Sequence, residues 1–227
     1  EGPAARGPGA EALLAAALDE GLARERPEEV LCARFGAELR RRHLACLLPE
    51  RWLNDEVINC YFSMLQARGP LKCYCPSSFF WPLMETRGYA GIQRWPRRAG
   101  IRVEELDAML LPLHLNGDHW AVGVLDFRER GIHYLDSLGF GPPSSLVPCL
   151  NDFVAKECPA LAGRPWPLLT GRSASAPRQR NSSDCGVFAC AYAERAAAGA
   201  AVSFDASAAA VTARRRALAA AILRGGL

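Results

Sequence analysis

Apolar residues recur at helical spacing between positions 52 and 65: Leu53, Val57, Ile58, Tyr61, Phe62 and Leu65 fall on one face. Asn54 stands before the run as an N-cap, Asp55 and Glu56 occupy the first turn where the helix dipole favours anions, and Gly69-Pro70 stops it. This is the clearest helix in the chain, and its apolar face predicts core. Upstream, Leu13, Leu14, Leu18 and Leu22 predict one short amphipathic helix over 11–26, closed by Pro27. It follows a Gly-, Pro- and Ala-rich start at 1–10 that is expected to be disordered. Residues 35–39 suggest a short strand, and 42–48 one helical turn ended by Pro49.

Further along, 77–89 predicts a second helix organised around Phe79, Phe80, Leu83 and Met84. The continuous apolar run 108–115 reads as a buried strand, 120–127 as another, and 131–136 as a third. Arg128 to Gly131 joins the last two as a hairpin. A loop over 139–143 leads into helical spacing at 146–158, and 166–169 reads as a strand. The small-residue pattern from Cys185 toward Ala198 predicts a helix, as does the Ala-rich stretch 207–224, which would bury Val211, Leu218 and Ile222. Helices therefore bracket a small, mostly antiparallel sheet, an α+β arrangement with no internal repeat.

Composition narrows the function classes. The chain has 227 residues, half of them apolar, enough for one sizeable core or one domain with an extension. No apolar run approaches the roughly 18 residues of a membrane span, and no secretory signal opens it. It begins with Glu1 rather than with a methionine, which suits an excerpt of a longer protein with any targeting region outside it. Nine cysteines, an odd number scattered through apolar patterns, do not form a disulfide framework and fit a reducing compartment. Cys73 and Cys75 lack both CxxC spacing and an answering pair, so no metal is expected. A net charge of +3 gives no case for nucleic acid. The basic clusters at 40–42, 94–98 and 214–216 read as solvated faces, or secondarily as docking points for an acidic partner.

Candidate chemistry gathers around Pro177-Arg-Gln-Arg-Asn-Ser-Ser-Asp-Cys185-Gly186, a polar loop running into a helix. A thiol in the first turn of a helix sits at the positive end of the dipole, which favours its thiolate form. Gly186 beside it permits close approach of other groups. Taken alone, Cys185 reads equally well as a nucleophile and as a small buried hydrophobe. A nucleophile needs a base, and a base needs an orienting group. Of the four histidines, His119 stands where the Asn116-Gly-Asp118 turn meets a strand, and Asp136 ends the strand after it. An antiparallel hairpin makes the start of one strand the neighbour of its partner's end, so His119 and Asp136 should meet. Singly, His119 is a turn residue and Asp136 a turn former. Together with Cys185 they suggest one site, with Gln179 and the Cys185 backbone N–H as donors to an oxyanion.

His119-Trp120, Asp136-Ser137, Gln179 and Asp184-Cys185-Gly186 together resemble the ubiquitin-like-protein protease family, most closely its sentrin/SUMO-specific branch. Trp52-Leu-Asn-Asp55, Arg94-Trp95 and Asp126-Phe-Arg128 add to the likeness, which runs from about residue 28 onward. The resemblance implies an N-terminal extension over 1–27 and a papain-like cysteine protease domain over 28–227. It implies Cys185 as nucleophile, His119 as base and acid, Asp136 as its orienter and Gln179 at the oxyanion, with no cofactor or metal. Trp52 and Trp120 would line a narrow tunnel that admits only a Gly-Gly tail, where plain core packing is the simpler reading of two tryptophans. Asn54, Asp55, Arg94 and Trp95 would face the body of SUMO, and His114 would lie near the tunnel. The expected partners are SUMO and SUMO-conjugated proteins, for a nuclear monomer that binds neither nucleic acid nor membrane. Alternatives are a protease for another ubiquitin-like protein such as Nedd8, or a SUMO-binding module without activity. The turn before His119 looks one residue longer than in such proteases, and Pro177-Arg178-Gln179 replaces their Pro-Gln-Gln.

Overall fold

The computed structural model describes residues 9–225. The chain begins with two short helices, α1 (Ala10–Ala17) and α2 (Glu20–Glu25). The single helix expected over 11–26 is broken because Asp19 turns extended and its Oδ1 accepts the Leu22 N–H at 2.8 Å, starting a new helix. A hairpin follows, β1 (Val30–Arg34) and β2 (Ala37–Arg40), with Phe35 and Gly36 both at positive φ in its turn. The strand expected over 35–39 is thus half turn, and β1 escaped notice because Cys32 is its one buried side chain. Next come α3 (Arg41–Leu44) and α4 (Asp55–Arg68). Asn54 caps α4 as anticipated, its Oδ1 accepting the Val57 N–H at 2.9 Å.

The central sheet has the order β3-β4-β5-β6. Its strands are β3 (Cys73–Tyr74), β4 (Ala108–Leu115), β5 (His119–Asp126) and β6 (Gly131–Leu135). β3 runs parallel to β4, and the other pairings are antiparallel. Between β3 and β4 lie α5 (Phe80–Arg87), α6 (Tyr89–Ile92) and α7 (Trp95–Arg98). After β6 come α8 (Leu146–Glu157), α9 (Gly171–Ser175), α10 (Cys185–Ala197) and α11 (Ala208–Arg224). Residues 166–169 make a single bridge, Leu168 to Ile132, rather than the strand expected there. Pro165 and Pro167 flank Trp166, and proline cannot donate to a ladder.

β5 is buried along its whole length, which explains its near-continuous apolar run. Trp120, Val122 and Val124 join a core with α4, α10 and α11, whereas Ala121 and Leu125 join a second core with α5 and α8. The sheet is therefore covered on both faces. Leu14 and Ala17 of α1 belong to the first core, so the N-terminal segment packs onto the body rather than trailing from it. Phe79, expected in a core, lies just before α5 and is 58 % exposed, while Phe80, Trp81 and Met84 carry that burial. No helix among the described residues is long and apolar enough to cross a membrane.

Candidate active site

Three elements converge on one point. β5 begins with His119, β6 ends just before Asp136, and α10 begins with Cys185. The register pairs Val122 with Leu135, so its continuation sets Asp136 across from Ala121, two residues along from His119 on the same face. Such diagonal neighbours are within reach of long side chains. The His119 Nε2 and Asp136 Oδ2 lie 2.7 Å apart, and the Cys185 thiol is near enough to the imidazole to raise its pKa. All three residues are buried.

The electrostatics follow from these contacts. The hydrogen bond with Asp136, then the interaction with the Cys185 thiol, pushes the His119 pKa up to about 9 against the opposing effect of burial. Burial pushes the Asp136 carboxyl up, but it ends below the usual carboxylate range. Hydrogen bonds from His119, Tyr134 and the Leu138 N–H, together with the His119 charge, outweigh desolvation. The Tyr134 hydroxyl donates to Oδ2 at 2.9 Å, while Oδ1 accepts the Leu138 and Gly139 N–H groups at 2.7 and 2.9 Å. Both oxygens of this carboxylate accept two hydrogen bonds each, so the ring it holds has one orientation.

The loop before α10 is tied to the same corner. Gln179 Oε1 accepts the Ser137 hydroxyl at 2.5 Å, its Nε2 donates to the Asn181 carbonyl at 2.5 Å, and its backbone N–H donates to the Ser137 carbonyl at 3.1 Å. Arg178 donates through Nη1 to the Asp136 carbonyl at 2.5 Å. Asp184 accepts Nε and Nη2 of Arg215 through Oδ1, at 3.1 and 2.6 Å. That arginine is 2 % exposed and also donates to the carbonyls of Cys46, Leu48, Arg51 and Ser183. The expectation that 214–216 is a solvated face fails here. A cup of carbonyls from distant segments receives the middle arginine and leaves none of its nitrogens unpaired. Arg41, in the cluster at 40–42, is likewise buried against Glu29, with 2.7 and 3.1 Å contacts.

Gly186 is required for packing. A Cβ there would stand 2.7 Å from the Leu53 Cβ and 3.3 Å from the Trp120 Cδ1. Trp120 itself is buried, its Nε1–H donating to the Leu53 carbonyl at 2.9 Å and its ring stacked on His114 at 4.3 Å. Those two contacts hold the indole beside Gly186. Cross-strand pairing of His114 with Trp120 places both on one face, so the stack is set by register. A cleft of about 740 Å³ is lined by Trp52, His114, Asp118, His119, Leu138 and Phe140 among others. Trp52 is 53 % exposed in it.

The remaining expected binding residues are dispersed. Asn54 is used by the fold, accepting from Val57 and donating to the His43 carbonyl at 3.0 Å. Asp55 is half-buried in the first turn of α4. Arg94 is exposed and Trp95 half-buried, beside a separate shallow depression shared with Arg87 and Arg98. Trp95 rests edge-on against Phe80 at 5.5 Å. Asp126, Glu129 and His133 are the metal-ligating side chains that come within reach of one another among the described residues. Asp126 already accepts Arg128 and Arg172, both at 3.1 Å, so a cation would have to displace two guanidinium groups. Sequence reasoning missed Arg215, Tyr134, Arg178 and Phe140, for which spacing carries no signal.

Residues 51–224 match the Ulp1 protease family, C-terminal catalytic domain. The chain belongs to that family. It is 32 % identical to Ubiquitin-like-specific protease 1 of Saccharomyces cerevisiae over 178 residues, covering 77 % of this chain and 28 % of the yeast protein. It is also 32 % identical to human Sentrin-specific protease 2 over 176 residues, covering 74 % of this chain and 29 % of that protein. The chain thus spans less than a third of either relative. Among solved structures, it superposes on the yeast Ulp1 protease domain in complex with Smt3, the yeast orthologue of SUMO. The TM-score is 0.81 at 28 % identity, covering 95 % of this chain and 93 % of the other. The catalytic domain of the Chaetomium thermophilum Ulp1-like SUMO protease gives a TM-score of 0.74 at 29 % identity, covering 91 % and 87 %. The structural match takes in more of the chain than residues 51–224.

Proposed function

We propose that this chain is the catalytic domain of a SUMO-specific cysteine protease. It hydrolyses the bond after the C-terminal Gly-Gly of SUMO, in precursors and in isopeptide conjugates. The observation that carries the reading is His119 hydrogen-bonded to Asp136 and adjoining the Cys185 thiol. A thiol, an imidazole and a carboxylate in series form the arrangement that activates a nucleophile.

Cys185 yields its proton to His119 and its sulfur attacks the carbonyl carbon of the scissile glycine. The carbonyl electron pair moves onto oxygen. The Cys185 N–H, at the first position of α10 and without an intrahelical acceptor, faces that charge. Gln179 spends one amide N–H on Asn181 and has its second for the oxyanion. Collapse of the adduct breaks the C–N bond, His119 gives its proton to the leaving amine, and a thioester remains. Water, deprotonated by His119, then attacks the thioester and releases the glycine carboxylate and the thiol. Asp136 keeps the imidazole oriented and favours its protonated form throughout.

Specificity for glycine rests on exclusion. Trp52 and His114 share the cleft with His119, and a side chain on either tail residue would need room beside them. Arg94 and Trp95 are the docking points we assign to the body of SUMO. Nuclear location and a monomeric state accompany this reading; fractionation of the full-length protein and sizing chromatography test them. The decisive assay sets the chain against precursors of SUMO, Nedd8 and ubiquitin. SUMO alone should be cut, and Cys185→Ala should still bind it. Cleavage of Nedd8 in preference, or turnover by Cys185→Ala, overturns the proposal.

A further inference from the structure

The wall of the cleft opposite in chemistry to its polar rim is the segment after Asp136. Phe140 is 63 % exposed and Leu138 is 45 % exposed, and both line the cleft together with Pro142 and Pro143. The Phe140 ring stands edge-on to the His119 imidazole, with centroids 5.8 Å apart and planes at 79°. Single exposed apolar side chains are ordinary, but two from one short segment, flanked by two half-buried prolines and set against a reactive imidazole, form a patch.

This segment is held in place rather than left loose. Asp136 Oδ1 takes the N–H groups of Leu138 and Gly139. Arg178 anchors the Asp136 carbonyl, and its guanidinium lies where a Gly139 Cβ would come within 2.8 Å. Gly139 is at φ +86, so the turn needs a residue without a side chain for two reasons. At the far end, the Leu146 N–H donates to the Pro143 carbonyl at 2.9 Å. The carboxylate that orients His119 therefore also aims Leu138 and Phe140. An aromatic fixed in water beside a base is an arrangement that makes sense when something apolar covers it.

What covers it follows from the direction of the reaction. His119 must reach the leaving nitrogen to protonate it. The acyl side is the one already assigned to Trp52, His114 and the oxyanion donors. A group extending from the leaving nitrogen then passes the imidazole edge that carries Phe140. The same cleft includes Glu85 and Asp118, which repel acidic groups.

We propose that Leu138 and Phe140 form a leaving-side subsite that selects an apolar, non-acidic stem on the departing amine. In a precursor that stem is the first residue or two after the scissile glycine; in a conjugate it is the lysine methylenes. This deepens the proposed function and rests on it. The test uses two SUMO precursors that differ only in the two residues after Gly-Gly, Val-Leu in one and Asp-Asp in the other. The wild-type chain should cleave the apolar one with kcat/KM about tenfold higher, the scale of a filled apolar subsite. Phe140→Ala should reduce the ratio to about threefold or less, and Phe140→Lys should favour the acidic tail. The side chain is exposed, so both variants should give wild-type circular dichroism. A ratio near one in the wild type, or a ratio unchanged in both variants, overturns the subsite while leaving the protease reading intact. Failure of the wild type to cut either precursor overturns the protease reading, and the subsite with it.

Discussion

The first turn and the middle of α10 carry one cysteine each, and burial does not distinguish them: Cys185 is 2 % exposed and Cys190 is 1 % exposed. Their company does. Cys185 meets an imidazole that is itself held by a carboxylate. Cys190 lies among apolar groups, and burial drives its thiol well above the ordinary cysteine range. A buried thiol becomes reactive through a partner that can take its proton, and β5 brings that partner, His119, to the first turn of the helix. The middle of the same helix needs the thiol only as volume.

The contrast can be broken most sharply by exchanging sulfur for oxygen at each place. Cys185→Ser should lower kcat/KM by at least about 10⁴-fold, measured on a SUMO precursor. Cys190→Ser should keep activity within a few-fold while losing about 1–3 kcal/mol of stability in denaturant, because a buried hydroxyl gains no partner. If Cys190→Ser were as dead as Cys185→Ser while folded, the division of the helix would be wrong.

Next in size is the orienting carboxylate. Asp136→Asn should cost about 10²–10⁴-fold in kcat/KM. It should also move the alkaline limb of the pH profile. His119 holds the shared proton up to about pH 9 in the wild type, so activity falls as pH rises through that value. Without the carboxylate the limb moves toward the ordinary histidine range, near pH 6.5. The linkage to stability has the same sign. The raised His119 pKa stabilises the fold fully below the unfolded value and is lost as pH rises through about 9. Asp136, held low, stabilises above its unfolded value and is lost on acidification. A limb that stays in place in Asp136→Asn would remove the carboxylate from the site.

The first turn also depends on Arg215, which holds Asp184 directly before Cys185. Arg215→Ala leaves a buried carboxylate and several carbonyls without their donor and should cost about 3–5 kcal/mol. Its neighbour Arg216, paired with Glu11 at the surface, should cost at most about 1 kcal/mol when changed to Ala. Equal losses in thermal unfolding would mean that the arginine cup contributes nothing. Arg178→Gln is the smallest step. It removes the hydrogen bond to the Asp136 carbonyl, and it should cost about 1.5 kcal/mol or less with a modest fall in kcat. A hundredfold fall would promote Arg178 from clamp to participant.

Much of the site was legible from local pattern. The Asn54 cap, the turn between β4 and β5, the start of α10 and the hairpin logic joining His119 to Asp136 all depend on neighbours in the chain. Trp120 shows where that reasoning stops. Core packing was the simpler reading of Trp120 and it is buried, but no pattern told that its N–H would meet the Leu53 carbonyl and its ring His114. β3 is two residues long and exists only because β4 offers an edge to pair with. Asn54 serves as the cap, and the His43 carbonyl takes one of its two amide N–H donors, a long-range contact that spacing does not foretell.

Periodicity, capping and short spacings were enough to say which residues could do chemistry and where the main helices and the hairpin lie, while the family likeness came from the motifs around His119, Asp136 and Cys185. They could not say that Arg215 is buried, that Trp120 donates to the Leu53 carbonyl, or that Phe140 stands free beside His119. Each of those outcomes depends on groups more than a helix away in the chain. Only the packed fold brings them together, and no local preference of the residue anticipates the neighbours it will meet.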